Sequence, residues 1–445
     1  MELRDLIITP LFVIFIITMA WILRAFVTDI YIRKYYMPAL VLKLAGAISV
    51  GVIYQYYYGG GDTFNYHTNG SRHIWTALME SPSDGMALLT DNGRDQYSAY
   101  KYSSRIWYYG DEASYTIVKL AAVLDILTIS TYSATACLFA AIAFSGIWAL
   151  FLVFYRLYPD YKNGLAWAIL FVPSVIFWGS GIFKDTITLA AVGWSVFAFY
   201  KIVFERSRIL YPIILIASFY VIYVIKIYIL LTLMPAMIIW LLLLNLEKVK
   251  SVILKVLILP VFVVIAALVA FQLVSKVAED NNKYALDQIA NTAKVTAYDI
   301  RYGWGARNGV GSGYTLGELD GTVSSMIKLI PAAINVALFR PYLFEVGNPL
   351  MLMAAVESTV FLFATLFVLY SVFRRSAFRV FFNREVLFCL SFSLVFAFAV
   401  GISAFNFGTL SRYKLPLIPF YLTALVIIYY KSKRERKLEE FESTE

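Results

Sequence analysis

The chain has 445 residues, 60% of them hydrophobic and 15% charged, with 38 lysines and arginines against 29 acidic residues. A soluble domain carries about a quarter of its residues as charges, so a soluble enzyme, a disordered chain and a disulfide scaffold are excluded; Cys137 and Cys389 both fall inside apolar runs. Those runs recur from end to end and do not alternate, which also excludes a single-anchor protein and a β-barrel. The net charge of +9 reads as the positive-inside bias of a membrane protein, not as nucleic-acid binding.

A membrane-spanning helix needs about 20 mostly apolar residues. On that rule the predicted spans are 6–27, 38–58, 132–155, 164–182, 186–204, 209–225, 227–246, 252–275, 349–373, 385–405 and 415–430. The first is read as a retained span, because no basic n-region precedes it and no small-x-small site follows. Basic residues crowd every second connection: Arg24, Arg33 and Lys34; Arg156 and Lys162; Lys201, Arg206 and Arg208; Lys248, Lys250 and Lys255; Arg374, Arg375, Arg379 and Arg384; then Lys431, Lys433, Arg434, Arg436 and Lys437. That alternation fits about eleven spans with the N-terminus outside and the C-terminus in the cytoplasm.

The expected organisation is one integral-membrane domain over 1–445. Spans at 1–58 lead to an outer loop at 59–131, a transmembrane core at 132–275, a second outer loop at 276–348, the last spans at 349–430 and a cytoplasmic tail at 431–445. Loops of such length are usually functional or disordered, and their aromatic and apolar stripes argue against disorder. Phe64, His67, Ile74, Trp75 and Leu78 recur at helical spacing, as do Ile117, Leu120, Ala121 and Leu124, and predict amphipathic helices at the membrane surface. Leu286, Ile289, Ala290 and Ala293 suggest another; Gly303–Gly321 is glycine-rich without the Lys-Ser/Thr of a P-loop; and 322–339 is too interrupted by Pro331 for an ordinary span.

Charged groups beside the spans are the functional candidates, because charge at membrane depth is costly. Asp62, in Gly59-Gly60-Gly61-Asp62, reads either as the N-cap of a helix starting near Phe64 or as a general base on a membrane-surface cleft. Lys184-Asp185 is an exposed turn with Asp185 capping the next helix, or a second carboxylate near Asp62 with Lys184 set for an anion. Asp111-Glu112 opens a surface helix, where acidic residues suit the dipole. Lys226, Arg340, Arg412 and Lys414 lie on the outer side against the positive-inside trend and suggest an anionic ligand, since arginine offers phosphate a planar fork. Glu357 reads as the partner of a neighbouring cation. His67 and His73 lack metal spacing and read as surface-helix packing.

Three motifs resemble the GT-C class of integral-membrane glycosyltransferases, in the form found among bacterial lipid-linked-sugar transferases: Gly61-Asp62-Thr63-Phe64-Asn65-Tyr66; Pro173-Ser174 through Phe177-Trp178-Gly179-Ser180 to Lys184-Asp185; and Arg412-Tyr413-Lys414-Leu415-Pro416 to Pro419-Phe420. The resemblance implies an all-α polytopic GT-C-like fold and a polyprenyl-phosphate-linked sugar donor. It implies an acceptor on a glycan, lipid or protein, and an active site on the outer face of a bacterial inner membrane. It makes Asp62 base or metal ligand and Asp185 a second acidic site residue, and lets Arg412 and Arg340 hold the lipid phosphate. Tyr66, Lys184, Lys226, Glu345 and Lys414 complete the substrate-binding candidates. A divalent cation such as magnesium or manganese would take Asp62 and Asp185 as oxygen ligands. The stretch Leu338-Phe339-Arg340-Pro341 to Glu345, with Asn348 and Glu357, is more similar to multi-span polysaccharide-polymerase-like proteins, so an O-antigen or exopolysaccharide polymerase or ligase is the alternative. A lipid-linked glycan flippase or transporter is a third reading; transporters place sites on broken helices near the midplane, often within inverted repeats, whereas here the charge gathers at one rim and no repeat is found.

Overall fold

The computed structural model describes residues 2–93, 99–248, 294–295, 298, 313–317 and 323–442. Among these residues the chain is all-helical apart from one isolated bridge between Gly313 and Asn406. Eight helices among the described residues are long and apolar enough to cross a membrane, and the protein is a polytopic membrane protein. The expected span at 252–275, the stripe at 286–293 and most of the glycine-rich segment lie outside the described residues.

One further expected span resolves differently. The segment 164–182 is two short helices, α9 (Lys162–Leu170) and α10 (Pro173–Trp178). Pro173 explains the break: it brings no N–H, and the residue before a proline is driven to extended geometry, as Val172 is with φ −73° and ψ 125°. The pair expected at 209–225 and 227–246 lies along α12 (Leu210–Lys248), two helical stretches that meet at the expected boundary, where Lys226 leaves helical geometry with φ −149° and ψ 74°.

The chain groups into two compact units, residues 1–162 with 170–227 and residues 163–169 with 228–445. In the first, the spans are α1 (Asp5–Val27), α2 (Arg33–Tyr56), α8 (Tyr132–Leu157), α11 (Lys184–Phe204) and the first part of α12. The expected outer loop between α2 and α8 folds as a helical layer: α3 (Asp62–Tyr66), a π-helical turn (His67–Ser71), α4 (Arg72–Glu80), α5 (Pro82–Thr90), α6 (Tyr100–Ser103) and α7 (Glu112–Thr128). The layer and the N-terminus lie at the same end of the unit, since Asp5 accepts the Ser133 N–H at 2.9 Å and Arg72 pairs with Glu2 at 2.6 Å. The buried face of α7 is wider than its apolar stripe and includes Asp125 and Thr128.

In the second unit, α13 (Val323–Lys328) and α14 (Ile330–Phe339) precede α15 (Pro349–Arg374), α16 (Arg384–Ala404), α17 (Phe407–Tyr413) and α18 (Ile418–Glu442). Trp240 stacks on Phe388 at 4.7 Å, and a hydroxyl pair between Thr365 and Tyr421, 2.7 Å apart, joins α15 to α18.

Helices in lipid gain nothing from excluding water from one another, so they associate through close backbone contact at small residues. α8 and α11 meet this way: a Cβ on Gly193 would strike the backbone of Gly146, and one on Gly146 would strike that of Ala190. In the second unit Gly401 lies against the backbone of Ala333 in the same manner. Gly193→Val should therefore lower stability by about 1–3 kcal/mol or more, read as a fall in the thermal midpoint of detergent-purified protein; an unchanged midpoint would show that the α8–α11 contact is not close-packed.

Candidate functional site

Asp62 opens α3 directly after three glycines, Gly59, Gly60 and Gly61, with φ of +69°, +134° and +124°. Side chains seldom adopt such angles, so glycine is required here. The N-cap is Gly61 and no side chain caps the helix, so the capping role expected for Asp62 is not what its side chain does. Instead the half-buried carboxylate accepts a hydrogen bond from the Tyr108 hydroxyl at 3.1 Å. The Tyr108 ring leans on buried Tyr66, 4.8 Å away, so Tyr66 supports the partner of Asp62. A side chain at Gly59 or Gly60 would meet nothing within 4 Å, so the turn borders open space. Gly61 packs on the Tyr54 ring, which in turn lies 5.6 Å from Phe183, next to Lys184.

Behind Asp62 the helix passes through the π-turn, an irregularity common at functional sites. Its buried polar groups converge on Asp125 of α7. Ser71 donates to Oδ2 at 2.6 Å, Thr135 donates to Oδ1 at 2.7 Å, and His67 Nε2 lies 3.3 Å from Oδ1 without hydrogen-bond alignment. Thr135 also shares a 2.6 Å contact with Thr128. His67 and Asp125 are fully buried, so His67 packs within the helical layer, in a polar core that fixes α3 on α7 and α8. Thr63 adds a 2.7 Å hydroxyl contact to Tyr132.

Lys184 and Asp185 begin α11 and diverge. Lys184 donates to Asp111 Oδ2 at 3.0 Å, and Ser114 binds the same carboxylate. Burial favours the neutral form of Asp111, but Ser114 and Lys184 outweigh it and hold the carboxyl below its usual range. Asp185 points inward, its side chain 1% exposed, and forms a buried ion pair with Lys226 at the break in α12. Lys226 is thus engaged by Asp185, and Asp185 by an ammonium rather than an exposed ligand.

The second unit gathers Arg340, Glu345 and Lys414. The Arg340 fork is filled by Glu345, with Nε 3.1 and 3.0 Å from its two oxygens and Nη2 closing the pair. The Arg340 guanidinium also lies 5.4 to 5.9 Å from the rings of Tyr314, Tyr342 and Phe407. Ser358 donates to the Arg340 carbonyl at 3.0 Å and accepts from buried Lys414 at 3.4 Å. Glu357, beside Ser358 on α15, interacts electrostatically with Lys414, which fits its expected role as a paired carboxylate. Arg412 is half-buried in the last turn of α17.

The structure therefore brings Asp62 and Tyr66 together through Tyr108, Asp185 with Lys226, and Arg340 with Glu345 and Lys414. Among the described residues no three of His, Cys, Asp and Glu cluster to hold a metal ion. The Lys226 ammonium on Asp185 also repels a divalent cation, so these residues do not fit the magnesium or manganese site that the sequence suggests.

Residue types alone did not single out Tyr108, Asp125 or Lys43. Lys43 lies fully buried in α2 and donates to the carbonyls of Val175 at 2.8 Å and Gly179 at 2.6 Å, closing the C-terminal end of α10. Its position inside an apolar span is the signal that marks it. In comparisons with protein-family models, curated proteins and solved structures, no match was found.

Two outcomes follow from the charge pairs. Lys226→Met takes the ammonium away from the buried Asp185 carboxylate and should cost about 3–5 kcal/mol; adding Asp185→Asn should recover much of that loss in thermal unfolding. For Glu345, burial favours the neutral acid, but Arg340 and the Tyr342 N–H outweigh it and hold the carboxyl below its usual range. Its contribution is complete above the ordinary carboxylate pKa and is lost as pH falls through the depressed value. Thermal midpoints of wild type and Glu345→Gln should differ at neutral pH and converge at the acid end.

Proposed function

We propose that this protein is a membrane glycosyltransferase of GT-C type. It moves a sugar from a polyprenyl-phosphate-linked donor to an acceptor hydroxyl, with Asp62 as general base. The observation that carries this reading is the setting of Asp62: half-buried, oriented by Tyr108, and on a glycine turn that borders open space. A carboxylate accepts several hydrogen bonds, so the Tyr108 contact is compatible with a substrate hydroxyl on the same group. Asp185, by contrast, is spent on Lys226 and acts here as a positioning residue for the start of α11.

In the reaction, the acceptor oxygen attacks the anomeric carbon as Asp62 takes its proton. The bond from that carbon to the phosphate oxygen breaks, and polyprenyl phosphate leaves with the electron pair. General-base help of this kind contributes about 10²–10⁴-fold. Exposed Tyr57, Tyr58 and Trp107 flank the layer near Asp62, where amphipathic rings suit a membrane–water boundary. By the positive-inside reading this layer faces the outside of a bacterial inner membrane. The acceptor is a glycan, lipid or protein hydroxyl.

The Arg340–Glu345–Lys414 cluster supports a second reading, a polysaccharide polymerase or ligase that depends on cations with no catalytic carboxylate. Asp62→Asn separates the two. Transfer from a radiolabelled polyprenyl-phosphate sugar in membranes should fall by about 10²–10⁴-fold, and Tyr108→Phe should give a smaller loss. Full transfer in Asp62→Asn with loss in Arg412→Ala would instead favour the polymerase or ligase.

A further inference from the structure

At the end of the first unit away from Asp62, α8 carries a half-open apolar groove of about 940 Å³, near the top of the range of about 300–1,000 Å³ typical of ligand sites. One wall is α1, with Phe15 and Met19; the other is α11 and the first turn of α12. The floor runs along α8 from Ala141 to Arg156, about 22 Å at 1.5 Å per residue. That length is about half a bilayer with headgroups included, and well short of the ~30 Å that a crossing helix needs. The groove therefore matches one lipid of one leaflet better than a transmembrane helix from a partner.

Its two ends differ chemically. The deep end is apolar, and the Trp194 Nε1–H there is satisfied by Ser145 at 3.0 Å. The shallow end holds Arg156 and Lys201, and these two cations share one carboxylate, Glu205. Both also rest on the Phe197 ring, 5.5 and 5.7 Å from its centre. Asp29, the other acid at this end, is engaged by the Tyr155 hydroxyl at 2.6 Å and by the N–H groups of Tyr31 and Ile32. An apolar trough that ends in two cations sharing one carboxylate complements a hydrocarbon chain bearing a phosphate.

We propose that this groove binds one anionic phospholipid, its acyl chain along α8 and its phosphate against Arg156 and Lys201. The site is separate from Asp62 and does not rest on the glycosyltransferase reading.

The test uses the full chain in nanodiscs of phosphatidylcholine doped with brominated-chain phosphatidylglycerol or brominated-chain phosphatidylcholine. Trp148 and Trp194 line the groove and report chain occupancy by quenching; Trp148→Phe/Trp194→Phe sets the background from other tryptophans. Brominated phosphatidylglycerol should quench at an about fivefold lower mole fraction than the choline lipid, since the two cations less their shared carboxylate leave one net positive charge, which favours an anionic headgroup by about 1 kcal/mol. Arg156→Gln/Lys201→Gln should erase that preference. Ala141→Phe, which narrows the groove and leaves the ion pairs in place, should weaken quenching by both lipids. Native mass spectrometry of protein taken from its own membranes should show one retained phospholipid. Equal quenching by the two lipids, a preference that survives the double variant, or a retained adduct with the mass of a polyprenyl phosphate or a polypeptide would each overturn the proposal.

Discussion

Inside the hydrocarbon of a membrane, a charge or an open carbonyl has no water to bind, and each such group must find its partner within the protein. The described structure is organised around that constraint. Where the backbone of α10 ends, the carbonyls of Val175 and Gly179 receive the Lys43 ammonium. Where α12 breaks, Lys226 meets Asp185. Without those partners the breaks would expose backbone or charge at a cost of several kcal/mol each, and the two irregular helices would not persist.

The same logic builds the layer that carries Asp62. Its helices are held by a buried polar centre at Asp125, which accepts from Ser71 of the π-turn and Thr135 of α8, with His67 of the same turn beside it. Such a network is costly when incomplete and specific when filled. It fixes the π-turn, and through it the helix that begins at Asp62. The glycine turn before Asp62 has the opposite character, with three positive-φ backbones, of which Gly59 and Gly60 border open space. A rigid polar anchor behind the carboxylate and free volume beside it suit the general-base role proposed for Asp62.

Charge pairing also redistributed the expected roles. Arg340, Lys184 and Lys226 look alike in sequence, as cations next to spans. In the folded chain Arg340 closes on Glu345, Lys184 on Asp111 and Lys226 on Asp185. A cation that already holds a carboxylate gains less from a phosphate, because the new anion must compete with an existing, partly desolvated partner. Arg156 and Lys201 differ in that both draw on the single carboxylate of Glu205.

The sequence by itself determined that this is an all-helical membrane protein and placed seven of its spans within a few residues, because about 20 apolar residues in a row have no other stable home. It also located Asp62 and the glycine turn, since three consecutive glycines before an acid at the end of a span stand out without any fold. Tertiary structure alone decided which charges meet. Asp125 with Ser71, Lys43 with Val175 and Asp185 with Lys226 are separated by 54, 132 and 41 residues. No local periodicity encodes such distant partners; only the packing of α2, α7, α10, α11 and α12 brings them within reach. The break at Pro173 within the expected span 164–182, and the α2 ammonium that closes it, took the folded chain to show.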